Sequence, residues 1–124
     1  GSMRALLLDA FNKDIRVINP DGLQDYYSLL NCSSVDVISK NISDKRFNLI
    51  FDNEAGLLET HRPSAIDDCG QVVLFNNLII TGEGNLEGNL SDLTDKEIEY
   101  IKKYIHIVRT SKYPCGCLLL CHVG

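Results

Sequence analysis

Gln71-Val-Val-Leu-Phe-Asn-Asn-Leu-Ile-Ile-Thr81 is the stretch on which the fold turns. It carries two apolar runs, Val72 to Phe75 and Leu78 to Ile80, parted by Asn76-Asn77. Branched and aromatic side chains suit a pleated surface, while asparagine favours turns. The stretch reads as one long strand, or as two short ones broken at the asparagines, at the centre of the fold.

Upstream, Val35-Asp-Val-Ile-Ser39 and Phe47-Asn-Leu-Ile-Phe51 show β-type alternation, and the polar segment Asn41 to Arg46 between them predicts an antiparallel hairpin. Residues 3–19 predict another, with the apolar run Arg4 to Asp9, the turn-forming Asn12-Lys-Asp14, and then Ile15, Val17 and Ile18. Between the hairpins, Leu23, Tyr26, Tyr27 and Leu30 fall at i, i+3, i+4 and i+7, one face of a short helix with Asp21 as N-cap and an end near Asn31 to Ser34. Asp52 to Gly56 and Asp67 to Gly70 are turn signals, and Thr60 to Ile66 is an irregular connection.

Downstream, residues 82–92 predict a flexible acidic loop, with Gly82, Gly84, Asn85 and Gly88 among carboxylates. A helix start follows: Thr94 as N-cap and Glu97 three residues on form a capping box, and Leu93 with Ile98 a hydrophobic staple. Ile98, Ile101, Ile105 and Val108 extend the apolar face to about Arg109, with Lys102, Lys103 and Arg109 near the negative end of the helix. His106 is then a solvated residue one turn before that end. Pro114 stops what precedes it, and Cys117 to Val123 closes as a strand. Gly1 and Ser2 ahead of Met3 read as an expression scar, which leaves 3–124 as one domain. The order does not alternate strand and helix, so the expected class is α+β, a mostly antiparallel sheet with two helices packed on it.

The chain has 124 residues, and 12 Lys plus Arg against 17 Asp plus Glu give a net charge of −5. That length suits one domain of roughly 100–200 residues. Gripping nucleic acid by its phosphates needs a cationic surplus, so no direct contact with a nucleic-acid backbone is expected. The apolar runs fall far short of the roughly 20 residues of a membrane span, and no leader pattern opens the chain. The expectation is a soluble, cytoplasmic protein. Five irregularly spaced cysteines fit reduced thiols better than a disulfide framework.

Cys115, Cys117, Cys121 and His122 are the densest group of metal-ligating types. On a strand, Cys117 and Cys121 share a face while His122 points to the other, and residues two apart in an extended chain are about 6–7 Å apart, too wide for Cys115 and Cys117 to share one tetrahedral ion without a turn. Buried thiols are expected, with no metal and no cofactor. No nucleophile–base pattern surrounds His61, His106 or His122, and Gly82-Glu-Gly84 is too acidic to cradle phosphate. Asp52 with Glu54, and Asp67 with Asp68, are turn formers. No catalytic residue is assigned, and the chain is expected not to be an enzyme. His61-Arg-Pro63 lies in an irregular connection of the kind that carries binding residues. Basic residues gather as Lys40, Lys45 and Arg46 at one hairpin and as Lys102, Lys103, Arg109 and Lys112 around the second helix, islands that suit an anionic ligand or an acidic partner.

Four segments taken together, Arg4-Ala-Leu-Leu-Leu-Asp9, Leu49-Ile-Phe-Asp-Asn-Glu-Ala-Gly56, Leu74-Phe-Asn-Asn-Leu-Ile-Ile80 and Leu93-Thr-Asp-Lys-Glu-Ile98, resemble a family of small domains of unknown function encoded largely by bacteriophages and mobile elements of Firmicutes and other bacteria. The resemblance covers about residues 3–110; Ala55 departs from the family's turn and the Cys-rich tail lies outside it. It implies an accessory protein in the host cytoplasm that blocks host defence, of anti-CRISPR or other anti-defence type. Two modes follow. In the first, a non-enzymatic inhibitor binds a host defence protein through an acidic surface at Glu83, Glu87, Asp92 and Asp95, whose carboxylates mimic phosphates. In the second, a homo-oligomeric sponge sequesters a nucleotide immune messenger. Lys45 and Arg62 then hold phosphates, Tyr26 or Phe75 stacks on a base, and Arg46 and His61 complete the ligand-binding set.

Overall fold

The computed structural model describes residues 2–84 and 90–124. Among them the chain runs β1 (Ala5–Asp9), β2 (Asp14–Ile18), α1 (Leu23–Leu30), β3 (Val35–Ile42), β4 (Lys45–Asp52), a 3-10 turn (Ala55–Leu57), β5 (Pro63–Ile66), β6 (Val72–Phe75), β7 (Leu78–Glu83), β8 (Leu90–Ser91), α2 (Asp95–Lys102), β9 (Ile105–Arg109) and β10 (Cys117–His122). This is the α+β class that the element order predicts, with the β1–β2 and β3–β4 hairpins and α1 in their expected places. None of these helices is long and apolar enough to cross a membrane.

The strands form two sheets, not one. The larger has the antiparallel order β2-β1-β7-β4-β3, with β8 paired to the end of β7. The smaller has the order β6-β5-β10-β9, antiparallel except for the parallel pair β5–β10. The chain passes from one sheet to the other at Asn76-Asn77. Asn76 adopts φ +64, a left-handed conformation that asparagine tolerates. Its N–H donates to Arg62 O at 2.7 Å, and its side-chain oxygen accepts from Arg62 N at 2.8 Å. Asn77 Oδ1 accepts from Ala10 N at 2.9 Å. Each asparagine thus ties the crossing to one sheet.

Strand alternation sorts the apolar side chains of the larger sheet into two cores. Leu6, Leu8, Phe47, Leu49, Leu78 and Ile80 join Ala65, Leu74, Leu119 and Cys121 of the smaller sheet and Ile98 and Ile101 of α2. Ala5, Leu7, Ile50 and Ile79 join Leu30, Leu29 and Tyr26 of α1 on the opposite side. A strand covered on both faces carries apolar residues at consecutive positions, which is why β1 and β7 read as unbroken runs.

Other expectations are corrected. The second helix stops at Lys102 instead of Arg109, because Tyr104-Ile-His-Ile-Val108 is branched or aromatic at nearly every position and pairs with β10, Ile105 opposite Cys121 through Arg109 opposite Cys117. His106 therefore sits on a strand. The irregular stretch 60–66 contains β5, with Pro63 at its first position, where a missing N–H is tolerated. The Asn41–Arg46 loop shrinks to Ser43-Asp44, Ser43 at φ +57, since Ile42 already pairs with Lys45. Within the expected acidic loop, Gly82-Glu83 and Leu90-Ser91 are sheet. A Cβ on Gly82 would stand 2.6 Å from Ser91 Oγ and 2.9 Å from Asp92 O, so the pairing needs glycine there. The N-cap of α1 is Gly22, without a side-chain bond, in place of Asp21, whose N–H donates to Asp25 Oδ2 at 2.7 Å. The α2 capping box forms as read: Glu97 N–H donates to Thr94 Oγ1 at 3.1 Å and Thr94 N–H to Glu97 Oε1 at 2.9 Å.

Candidate functional site

The lead-in to β5 meets the β9–β10 connection at one end of the smaller sheet. Glu59, Thr60, His61 and Arg62 on one side and Tyr113, Pro114 and Cys115 on the other line a cleft of about 250 Å³. This lies just below the roughly 300–1,000 Å³ of small-molecule sites.

His61 is held by its neighbours. Its Nδ1 stands 2.7 Å from Leu58 O; a carbonyl oxygen only accepts, so Nδ1 carries the hydrogen and Nε2 is left for other partners. The ring meets Phe75 edge-on, centroids 5.0 Å apart and planes at 90°, and meets Tyr113 at 6.3 Å and 81°. Phe75 reaches this position past Gly56, where a Cβ would lie 3.1 Å from its ring.

Arg62 is clamped along its backbone by Asn76 in both directions. Its guanidinium lies 4.8 Å from the centre of the Phe11 ring and donates from Nη1 to Phe11 O at 3.2 Å. Arg4, Arg16 and Arg46 each have a carboxylate within 4.0 Å, whereas Arg62 and Arg109 have none among the described residues. A guanidinium held in place with its charge unmatched is a receptor for an anion.

Of the residues proposed from sequence for a ligand, His61, Arg62 and Phe75 come together here. Tyr26 does not. It lies on α1 against the second core, and burial, then the Asp25 charge, push its phenol pKa up. Lys45 and Arg46 stand at the β3–β4 turn, Lys45 Nζ 4.7 Å from the centre of the Tyr100 ring and Arg46 Nε 3.8 Å from Glu83 Oε2. Sequence reasoning missed Glu59, Tyr113 and Cys115, since only the β5–β10 pairing brings the two connections side by side.

The acidic residues are bound within the chain. Glu83 accepts the Ser39 hydroxyl and faces Arg46. Asp92 Oδ1 accepts from Arg4 N at 2.8 Å, and Asp95, still exposed, pairs with the Arg4 guanidinium at 2.5 Å. Glu87 lies outside the described residues. Along β10, Cys121 is buried in the first core while His122 points the other way, and burial pushes the Cys121 thiol pKa up to about 12. Cys115 Sγ donates to Cys117 O at 3.3 Å. The cleft thus offers one cation, one imidazole and aromatic edges, with the Glu59 carboxylate on its rim, a set suited to recognition of a flat group that carries an anion at the Arg62 end.

No curated protein and no solved structure matches the chain. Residues 3–106 match the model of a domain of unknown function, DUF3846, a span that takes in His61, Arg62 and Phe75 and ends within β9, before Tyr113 and Cys115. With most of its length inside that match, the chain belongs to the DUF3846 family.

Proposed function

We propose that the protein is a non-enzymatic binding module that takes a nucleotide-type ligand, an anionic group joined to a planar ring, in the cleft between His61-Arg62 and Tyr113. The observation that carries this reading is Arg62: held at backbone and guanidinium, lining a cleft with His61 and Tyr113, and without a carboxylate partner among the described residues. The fork takes the phosphate, and His61 and Tyr113 flank the ring. In the phage or mobile-element setting that the sequence resemblance implies, such a module acts by sequestering a nucleotide immune messenger. Inhibition of a host defence protein through the acidic surface has less support, because Glu83, Asp92 and Asp95 each already engage a donor in the same chain.

Native mass spectrometry of the protein incubated with cyclic and ADP-ribose-type nucleotides tests the reading. An intact nucleotide retained by the folded chain is the expected result. Turnover of the nucleotide, or a chain that ignores the whole panel, contradicts it.

A further inference from the structure

A second group of side chains lies away from the cleft, on β9 and β10. Leu120 stands opposite His106 and Cys121 opposite Ile105, so His122 follows opposite Tyr104, whose carbonyl accepts the His122 N–H at 2.9 Å. Directly opposed residues share a face and successive ones alternate. His106 and His122 are therefore on one face, diagonal neighbours across adjacent strands, while Ile105 and Cys121 face the first core.

The two imidazole centroids are 5.4 Å apart, with the ring planes at 62°. A tetrahedral ion bound at about 2.0–2.1 Å to one nitrogen of each ring lies about 3.2 Å from each centroid, which sets the centroids about 5.2 Å apart. The pair already stands at the separation that chelation requires. We propose that His106 and His122 form a two-imidazole site for a borderline divalent ion of the Zn²⁺, Cu²⁺ or Ni²⁺ class. Imidazole nitrogen selects that class over Mg²⁺ and Ca²⁺, which take oxygen ligands.

His122 lines a hollow with Tyr104, Asp44 and Asp68. Asp44 accepts the Tyr100 hydroxyl and has Lys45 beside it, which leaves Asp68 as the carboxylate there with no cation next to it among the described residues. Arg109 is on the alternate face of β9, in register with Cys117. His106 is exposed, so the ion enters from solvent. Two protein ligands leave two coordination positions for water or for a donor atom of a bound partner.

Calorimetric titration of the purified chain with ZnCl₂ in a non-coordinating buffer, alongside NMR of the histidine ring signals, tests the site. Binding of one ion per chain is expected, with perturbation confined to the His106 and His122 rings. His106→Ala and His122→Ala should each weaken binding by more than the roughly 10–100-fold that even an outer-sphere partner contributes. His61→Ala should leave binding unchanged. Binding that survives in both variants, perturbation centred on His61, or no binding at millimolar zinc overturns the proposal. The NMR result on the unaltered protein stands whether or not a variant folds.

Discussion

Asp9 is buried at the end of β1, and its carboxyl is nonetheless held below the ordinary carboxylate range. Burial alone would raise its pKa, but bonds from the Asn12 and Phe11 N–H groups, the Asn12 amide and the Arg16 guanidinium outweigh it. A folded pKa below the unfolded one means that the stabilisation is full above the unfolded value and is lost as pH falls through the folded one. Asp9→Asn is therefore expected to cost about 1–3 kcal/mol at neutral pH in urea unfolding. The gap to the parent should close as the pH drops below 3.8. Ser64 is the opposite case, a buried hydroxyl with no hydrogen-bond partner among the described residues. Ser64→Ala should leave stability unchanged or raise it by up to about 1 kcal/mol; a clear loss would mean the hydroxyl has a bond. Charge was legible in the sequence at this scale, but pairing was not. Glu83 and Asp95 look like a free acidic surface until the fold sets Arg46 and Arg4 beside them.

The capping box of α2 was visible in the sequence, because it depends on residues three positions apart, and a break at Asn76-Asn77 was one of two readings there. That the break carries the chain between two sheets was not visible, because its partners Arg62 and Ala10 lie 14 and 67 residues away. Nor was the exchange of helix for strand at residues 104–109. Isoleucine at 98, 101 and 105 satisfies a helical face, and the pairing that makes Ile105 a strand residue comes from β10, more than ten residues downstream. A still longer separation along the chain, from Arg62 to Tyr113, hid the tyrosine from the reading of the cleft, although His61 and Arg62 stood out locally. Asn76 gives a test of the crossing. Alanine at φ +64 is strained and removes the acceptor for Arg62 N, whereas glycine removes only the acceptor. Asn76→Ala should therefore unfold more readily than Asn76→Gly, by about 1–2 kcal/mol, in parallel denaturation curves. Equal losses would mean that the left-handed turn contributes nothing.

For the molecule as a whole, the central strands β1, β7 and β4 are covered by α1 on one face and by the smaller sheet with α2 on the other. The cleft is built from the β5 lead-in and the β9–β10 connection at one end of the smaller sheet. In a chain of net charge −5, Arg62 lines the cleft with no carboxylate within 4.0 Å among the described residues. If that arginine anchors a ligand, Arg62→Ala should weaken binding by about 1.5–3 kcal/mol, the range for hydrogen bonds to charged groups, while the folded core stays intact. The most direct measurement is an NMR titration of the labelled protein with a nucleoside 5′-phosphate, read in parallel on Arg62→Ala. Perturbations that gather on His61, Arg62, Phe75 and Tyr113 and vanish in the variant are expected. Perturbations at Glu83, Asp92 and Asp95, or none at any concentration, would contradict a ligand in the cleft.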